Sequence, residues 1–175
     1  MAMNFDPHNQ VVLDNVTQTS CVELFEAYGV TLDRRESTPE LGPGAILLCG
    51  IVGFSGPGAR GTCILATTAE PLAASSPPET TARDWVAELT NQLMGRIKNK
   101  LLARGAEVYL STPVVMRGEH IAPVPRFAIA PSVFGVAHGG SIYVWTEVET
   151  QPGLTLSDEA VTGESHLAEG DAMMF

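Results

Sequence analysis

The stretch Asp84-Trp85-Val86-Ala87-Glu88-Leu89-Thr90-Asn91 decides how the rest of this 175-residue chain is read. At about 100° per residue, Val86, Leu89, Leu93, Ile97 and Leu101 fall on one stripe, while Asp84, Glu88, Asn91 and Gly95 gather nearly opposite. This predicts an amphipathic helix capped by Thr80 or Thr81, running to about Arg104 and stopping at Gly105. Its polar face holds a carboxylate and a carboxamide one turn apart, in solvent. Gly95 on that face weakens a helix by about 1 kcal/mol relative to Ala. Close approach of another molecule would explain it.

Working outward, Val16, Val22, Leu24, Phe25 and Tyr28 suggest a first helix from about Leu13 to Tyr28, capped by Asp14 or Asn15 and ended by Gly29. Strand-like segments follow at about 31–37, 45–54 and 61–69, the last two joined by a turn through Gly56-Pro57-Gly58. A linker rich in Pro, Ala and Ser, 70–79, leads to the second helix. Three more strands are expected at about 107–116, 126–137 and 141–149, with His138-Gly139-Gly140 as the turn of the last hairpin. Helix-then-three-strands thus occurs twice. The fold expected is α/β in the α+β sense: one six-stranded, mainly antiparallel sheet with two long helices, built from pseudo-duplicated halves.

The length suits one domain, and 45% hydrophobic residues suffice for a core. A formal charge of −10 disfavours a nucleic-acid partner, whose affinity comes largely from Lys and Arg. Half of the ten basic residues, Arg83, Arg96, Lys98, Lys100 and Arg104, nevertheless lie on or beside the second helix, where together they would favour an acidic pocket on a partner. Cys21, Cys49 and Cys63 form neither a disulfide framework nor a zinc pattern and read as buried thiols in a reducing cytosol. No basic leader followed by an apolar core opens the chain, and no apolar run of about 18 residues occurs, so a cytoplasmic protein off the membrane is expected.

The order acidic residue, three positions, Glu, two positions, Asn, then a Pro after 21 further residues is met by Asp84, Glu88, Asn91 and Pro113. With Gly95 as the small residue after the Asn, this resembles the signature of the CheC/CheX/FliY chemotaxis phosphatases, which dephosphorylate the response regulator CheY. The resemblance covers about residues 10 to 150. It implies a CheX-like phosphatase domain at 13–150, flanked by an N-terminal segment, 1–12, and an acidic mobile tail, 151–175. In the tail, Asp158, Glu159, Glu164, Glu169 and Asp171 stand without a Lys or Arg. A short helix near 158–161 is possible there, and Met173-Met174-Phe175 reads as a fraying end. With the helices aligned by their acidic starts, Asp14, Gln18 and Cys21 fall opposite Asp84, Glu88 and Asn91. Neither a negative charge nor a carboxamide stands at the last two, which is similar to the one-site CheX pattern.

The resemblance also implies chemistry. A receiver's aspartyl phosphate is activated by the receiver's own Mg²⁺ and Lys, so no cofactor or metal is expected on this chain. Asn91 would position the attacking water, as a Gln does in GTPases. Glu88 would pair with the receiver Lys. Asp84, Gly95 and Pro113 are supporting residues, Asp84 having an ordinary role as a first-turn charge on the helix dipole. CheX-like proteins pair through their sheets, so a homodimer is expected, with edges such as 126–137 available. The alternative is a non-catalytic module that binds a response regulator or flagellar-switch component, and a more distant one is a ligand-binding domain with a deep apolar pocket. Other motifs are bland. Gly53 to Gly61 lacks the Lys-Ser/Thr pair and the helix of a phosphate loop, His8, His120, His138 and His166 are scattered, and no Gly-x-Ser-x-Gly is present.

Overall fold

Helix α1, Pro7–Glu26, starts six residues before the Leu13 expected from apolar spacing, because its first turns are buried through polar side chains. In the computed structural model, which describes residues 2–38, 44–119, 121, 124–137 and 139–160, Asp6 caps the helix by accepting from His8 N and Asn9 N. Asn9 is fully buried. Its carboxamide donates to Thr150 Oγ1 and to the Leu154 carbonyl and accepts from Leu156 N, at 2.8 to 2.9 Å. The N-terminal segment is therefore part of the domain, with its own helical turns.

The strands are β1 (Leu32–Arg35), β2 (Ile46–Ser55), β3 (Ala59–Thr67), β4 (Tyr109–Leu110), β5 (Val114–Glu119), β6 (Ser132–Val136) and β7 (Ser141–Thr150). All pair antiparallel, in the order β1-β6-β7-β3-β2, with β4 and β5 both beyond β2. The fourth expected strand is split. Between the pairs Phe54↔Leu110 and Ile51↔Val114, two residues of β2 face three of the partner, Ser111, Thr112 and Pro113. This is a bulge, at the edge where a Pro is tolerated. Seen from the boundary between β7 and β3, the order is symmetric: β3 answers β7, β2 answers β6, and β1 answers the β4/β5 pair. Each half supplies a hairpin and lends its first strand to the other half's hairpin.

The segment 126–137 is not the free edge expected for pairing. Only β6 within it is strand, and β6 lies between β1 and β7. The sheet ends instead at β1 and at β4/β5. The linker before the second long helix also holds a short helix, α2, Ala69–Ser75. Its Ser75 hydroxyl accepts from Trp85 Nε1 at 2.9 Å.

Helices α1 and α3 (Ala82–Leu102) cover one face of the sheet, burying Leu13, Leu24, Phe25, Leu89, Leu93 and Ile97 against β2, β3, β6 and β7. Beyond Val144, β7 loses its β6 partner. The Gln10 side chain takes over there, donating to the Thr146 carbonyl at 2.7 Å and accepting from Val148 N at 3.1 Å. The opposite face holds a smaller cluster of Leu47, Cys49, Ala66, Val133 and Tyr143. All three cysteines are free and buried, and burial pushes the Cys49 and Cys63 thiols up to about 11 and about 12.

The acidic segment expected to be mobile from residue 151 is docked at its start: Leu156 is 1% exposed in the main core. Asp158 and Glu159 form a bend rather than a helix. The remaining acidic residues, Met173-Met174-Phe175, His120, His138 and His166 lie outside the described residues.

Candidate active site

Helix α3 is anchored at its start, along its length and against the sheet. Thr81 caps it, its hydroxyl accepting from Asp84 N at 3.1 Å and donating to Asp84 Oδ2 at 2.7 Å. This reciprocal arrangement satisfies an orphan N–H of the first turn. The Thr81 hydroxyl, with Arg83 at 3.0 Å, holds the Asp84 carboxyl below its ordinary range. Asp84 thus works inside its own helix terminus. Trp85, buried, meets the Tyr28 ring edge-on at 4.9 Å.

The approach to the sheet is set at Gly50 of β2. A Cβ there would lie 2.0 Å from Thr90 Oγ1 and 3.1 Å from the Val86 carbonyl. Thr90 Oγ1 donates to that carbonyl at 2.6 Å, so the hydroxyl cannot simply turn away without losing its partner. Gly50 lets the helix rest directly on β2. Thr90 faces the sheet, and Asn91 is exposed beside it.

Glu88 and Asn91 stand together on the solvent face. Glu88 Oε1 accepts from Gln92 Nε2 at 2.7 Å, and Gln92 Oε1 accepts from Tyr28 OH at 2.8 Å. Among the described residues no hydrogen bond engages the Asn91 carboxamide. Gly95 follows on the same face, and a Cβ there would meet nothing within 4 Å. Nothing among the described residues requires glycine at this position. Pro113 sits in the bulge between β4 and β5, one residue beyond the Ile51↔Val114 pair. Its link to the helix runs through β2 and β5, on which α3 packs, rather than through a hydrogen bond.

The basic residues near α3 are largely engaged. Lys100 Nζ lies 2.6 Å and Arg96 Nη1 3.9 Å from Glu23 Oε2, tying α3 to α1. Arg104 Nη1 donates to the Lys100 carbonyl, Lys98 lies over the Tyr109 ring, and Arg83 is with Asp84. Lys100, Arg96 and Lys98 thus link α3 to α1 and β4, while Arg83 and Arg104 make only local contacts within or beside α3.

The site is convex. Open grooves of about 790 Å³ beside Asp14 and Arg34, about 510 Å³ beside Tyr109 and Arg126 and about 450 Å³ beside Glu23 and Lys100 are lined by residues other than Glu88 and Asn91. A cavity with a mostly apolar lining beside Ile64 and Trp145 measures only about 90 Å³. That is well under the roughly 300 Å³ of a usual small-molecule site. An exposed carboxylate and carboxamide on a rigid helix suit a partner that brings the rest of the active site with it.

The family model described as chemotaxis phosphatase CheX matches residues 48–126, a span that contains all of α3 and Pro113. Over this span the chain is similar to CheX. Solved structures agree on the fold. The chemotaxis protein CheX from Vibrio vulnificus is 18% identical, with a TM-score of 0.64 over 78% of this chain and 99% of that one. A CheC-like superfamily protein from Shewanella sp. PV-4 is 22% identical, with a TM-score of 0.60 over 79% and 98%. A CheX–CheY–BeF3–Mg²⁺ complex from Borrelia burgdorferi contains a chain 16% identical, with a TM-score of 0.59 over 77% and 96%. No curated protein matches significantly.

In this CheX-like chain the two halves align differently from the acidic-start alignment. Both long helices end in the same turn: Val30 N donates to Phe25 O and Ala106 N to Leu101 O, each at 3.0 Å, around Gly29 and Gly105 at φ +74° and +93°. Matching these turns places Val12 opposite Glu88 and Cys21 opposite Ile97, both of the latter pair fully buried. Val12 is buried and carries no carboxylate, while Asn15, opposite Asn91, is exposed, so α1 keeps the carboxamide of the Glu88–Asn91 pair without its carboxylate. Sequence reasoning missed Tyr28, Gln92 and Gly50 at the site. The only signal for Gly50 was a glycine within an apolar strand.

Proposed function

We propose that this chain is a cytoplasmic phosphatase that hydrolyses the aspartyl phosphate of a CheY-type response regulator. The observation that carries the reading is the exposed Glu88–Asn91 pair, with an uncommitted carboxamide and with Gly95 opening the helix surface one turn on. Asn91 holds a water in line with phosphorus, its carbonyl oxygen accepting from the water. Glu88 pairs with the receiver's active-site Lys and sets the depth of docking. The receiver supplies Mg²⁺, and no intermediate forms on this chain. The complex of the Borrelia burgdorferi relative supports a CheY-type partner.

The test is single-turnover loss of phosphoryl group from a phosphorylated CheY-type receiver. Acceleration by the chain is expected. Tight binding without acceleration would favour a non-catalytic response-regulator or flagellar-switch module instead.

The chain is further proposed to form a homodimer through the β5 edge, where Val114 and Met116 are 59% and 47% exposed on a strand that, among the described residues, pairs with β2 alone. Sedimentation at micromolar concentration should show a dimer. A monomer would rule this assembly out and leave the catalytic assignment untouched.

A further inference from the structure

Glu88 lies at the end of a hydrogen-bonded relay that begins in the turn after the other long helix. Tyr28 follows α1 and is half-buried, its ring packed edge-on against buried Trp85 at 4.9 Å. Its hydroxyl donates to Gln92 Oε1 at 2.8 Å, and Gln92 Nε2 donates to Glu88 Oε1 at 2.7 Å. The direction of the relay is dictated by chemistry. An ionised carboxylate only accepts, so the Gln92 amide nitrogen must face Glu88, which turns the Gln92 carbonyl oxygen toward the Tyr28 hydroxyl. An unaided i, i+4 pair on a helix surface is a weak and mobile contact. Here Tyr28, in the turn that closes α1, fixes the carboxamide plane. Trp85 is held in turn by the Ser75 hydroxyl of α2, so three helices converge behind one exposed carboxylate.

We propose that Tyr28 and Gln92 are positioning residues that orient Glu88 for its charged contact with the receiver, an inference that rests on the phosphatase reading above. Glu88 is exposed, and an exposed glutamate samples several rotamers that must be narrowed on docking. The relay narrows them beforehand. Its effect is therefore expected on receiver binding, whereas water positioning remains with Asn91.

The experiment uses Tyr28→Phe, which deletes the hydroxyl and keeps the ring against Trp85, and Gln92→Met, which keeps the volume. Each is expected to raise KM for the phosphorylated receiver by about two- to tenfold, the range of one or two hydrogen bonds, with kcat nearly unchanged. In a Glu88→Ala background Tyr28→Phe should have no further effect. A readout independent of turnover is NMR of the free chain. Tyr28→Phe should move the Gln92 side-chain amide and Glu88 carboxyl resonances while the backbone amides of Leu93 and Ile97 stay in place. Equal losses with and without Glu88, or unmoved Gln92 and Glu88 resonances, would overturn the relay. Absence of turnover by the unmodified chain would count against the phosphatase reading alone, since the NMR arm still decides whether the relay holds Glu88.

Discussion

Gly50 and Thr90 form the contact that sets helix α3 on the sheet: the space a Cβ would need on Gly50 is already filled by the Thr90 hydroxyl, 2.0 Å away. The helix that presents Glu88 and Asn91 is thus fixed in height by a missing side chain on the strand beneath it. Gly50→Ala should push α3 off β2 and destabilise the fold by about 1–3 kcal/mol, the usual range for overpacking. Chemical denaturation measures this. An unchanged midpoint would show that the helix can shift freely at that point.

Gly95 is the opposite case. A Cβ there meets nothing, so Gly95→Ala should stabilise the helix by about 0.5–1 kcal/mol. If the glycine serves a docked partner, the same substitution should weaken turnover of the phosphorylated receiver. A variant that is both more stable and fully active would remove the functional reason for this glycine.

Asp84 links stability to pH. Its folded-state pKa lies below the ordinary 3.8, chiefly through the Thr81 hydroxyl, so its cap stabilises the fold above that value. The contribution fades as pH falls through the folded-state pKa. Asp84→Asn should therefore melt below the unmodified chain near pH 6 and match it in strong acid. A melting difference that persisted at the lowest pH would place the effect outside the ionised carboxylate.

The second helix was legible because its apolar positions obey a 3.6-residue period and its buried face is apolar except at Thr90: Val86, Leu89, Leu93, Ile97 and Leu101 are all buried. Its cap at Thr81 and its stop before Gly105 follow the same local rules. The start of α1 was not legible, because Asn9 and Gln10 are buried by hydrogen bonds to residues more than a hundred positions away. Local patterning carries no trace of such partners. The α2 helix was hidden by a Pro- and Ser-rich composition that also suits a linker, and the strand interruption at Pro113 depends on a register with β2. Glu88 and Asn91 were readable as a spaced pair. Their support by Tyr28 and Gln92 required the packing of two helices.

The most direct measurement is single-turnover dephosphorylation of a phosphorylated CheY-type receiver by Asn91→Ala and Glu88→Ala, with receiver affinity measured alongside. Asn91→Ala should lower the rate by on the order of a hundredfold or more while leaving affinity largely intact, since the carboxamide acts on the water in the transition state. Glu88→Ala should weaken both rate and affinity. Turnover by Asn91→Ala at the rate of the unmodified chain would contradict the proposed phosphatase mechanism.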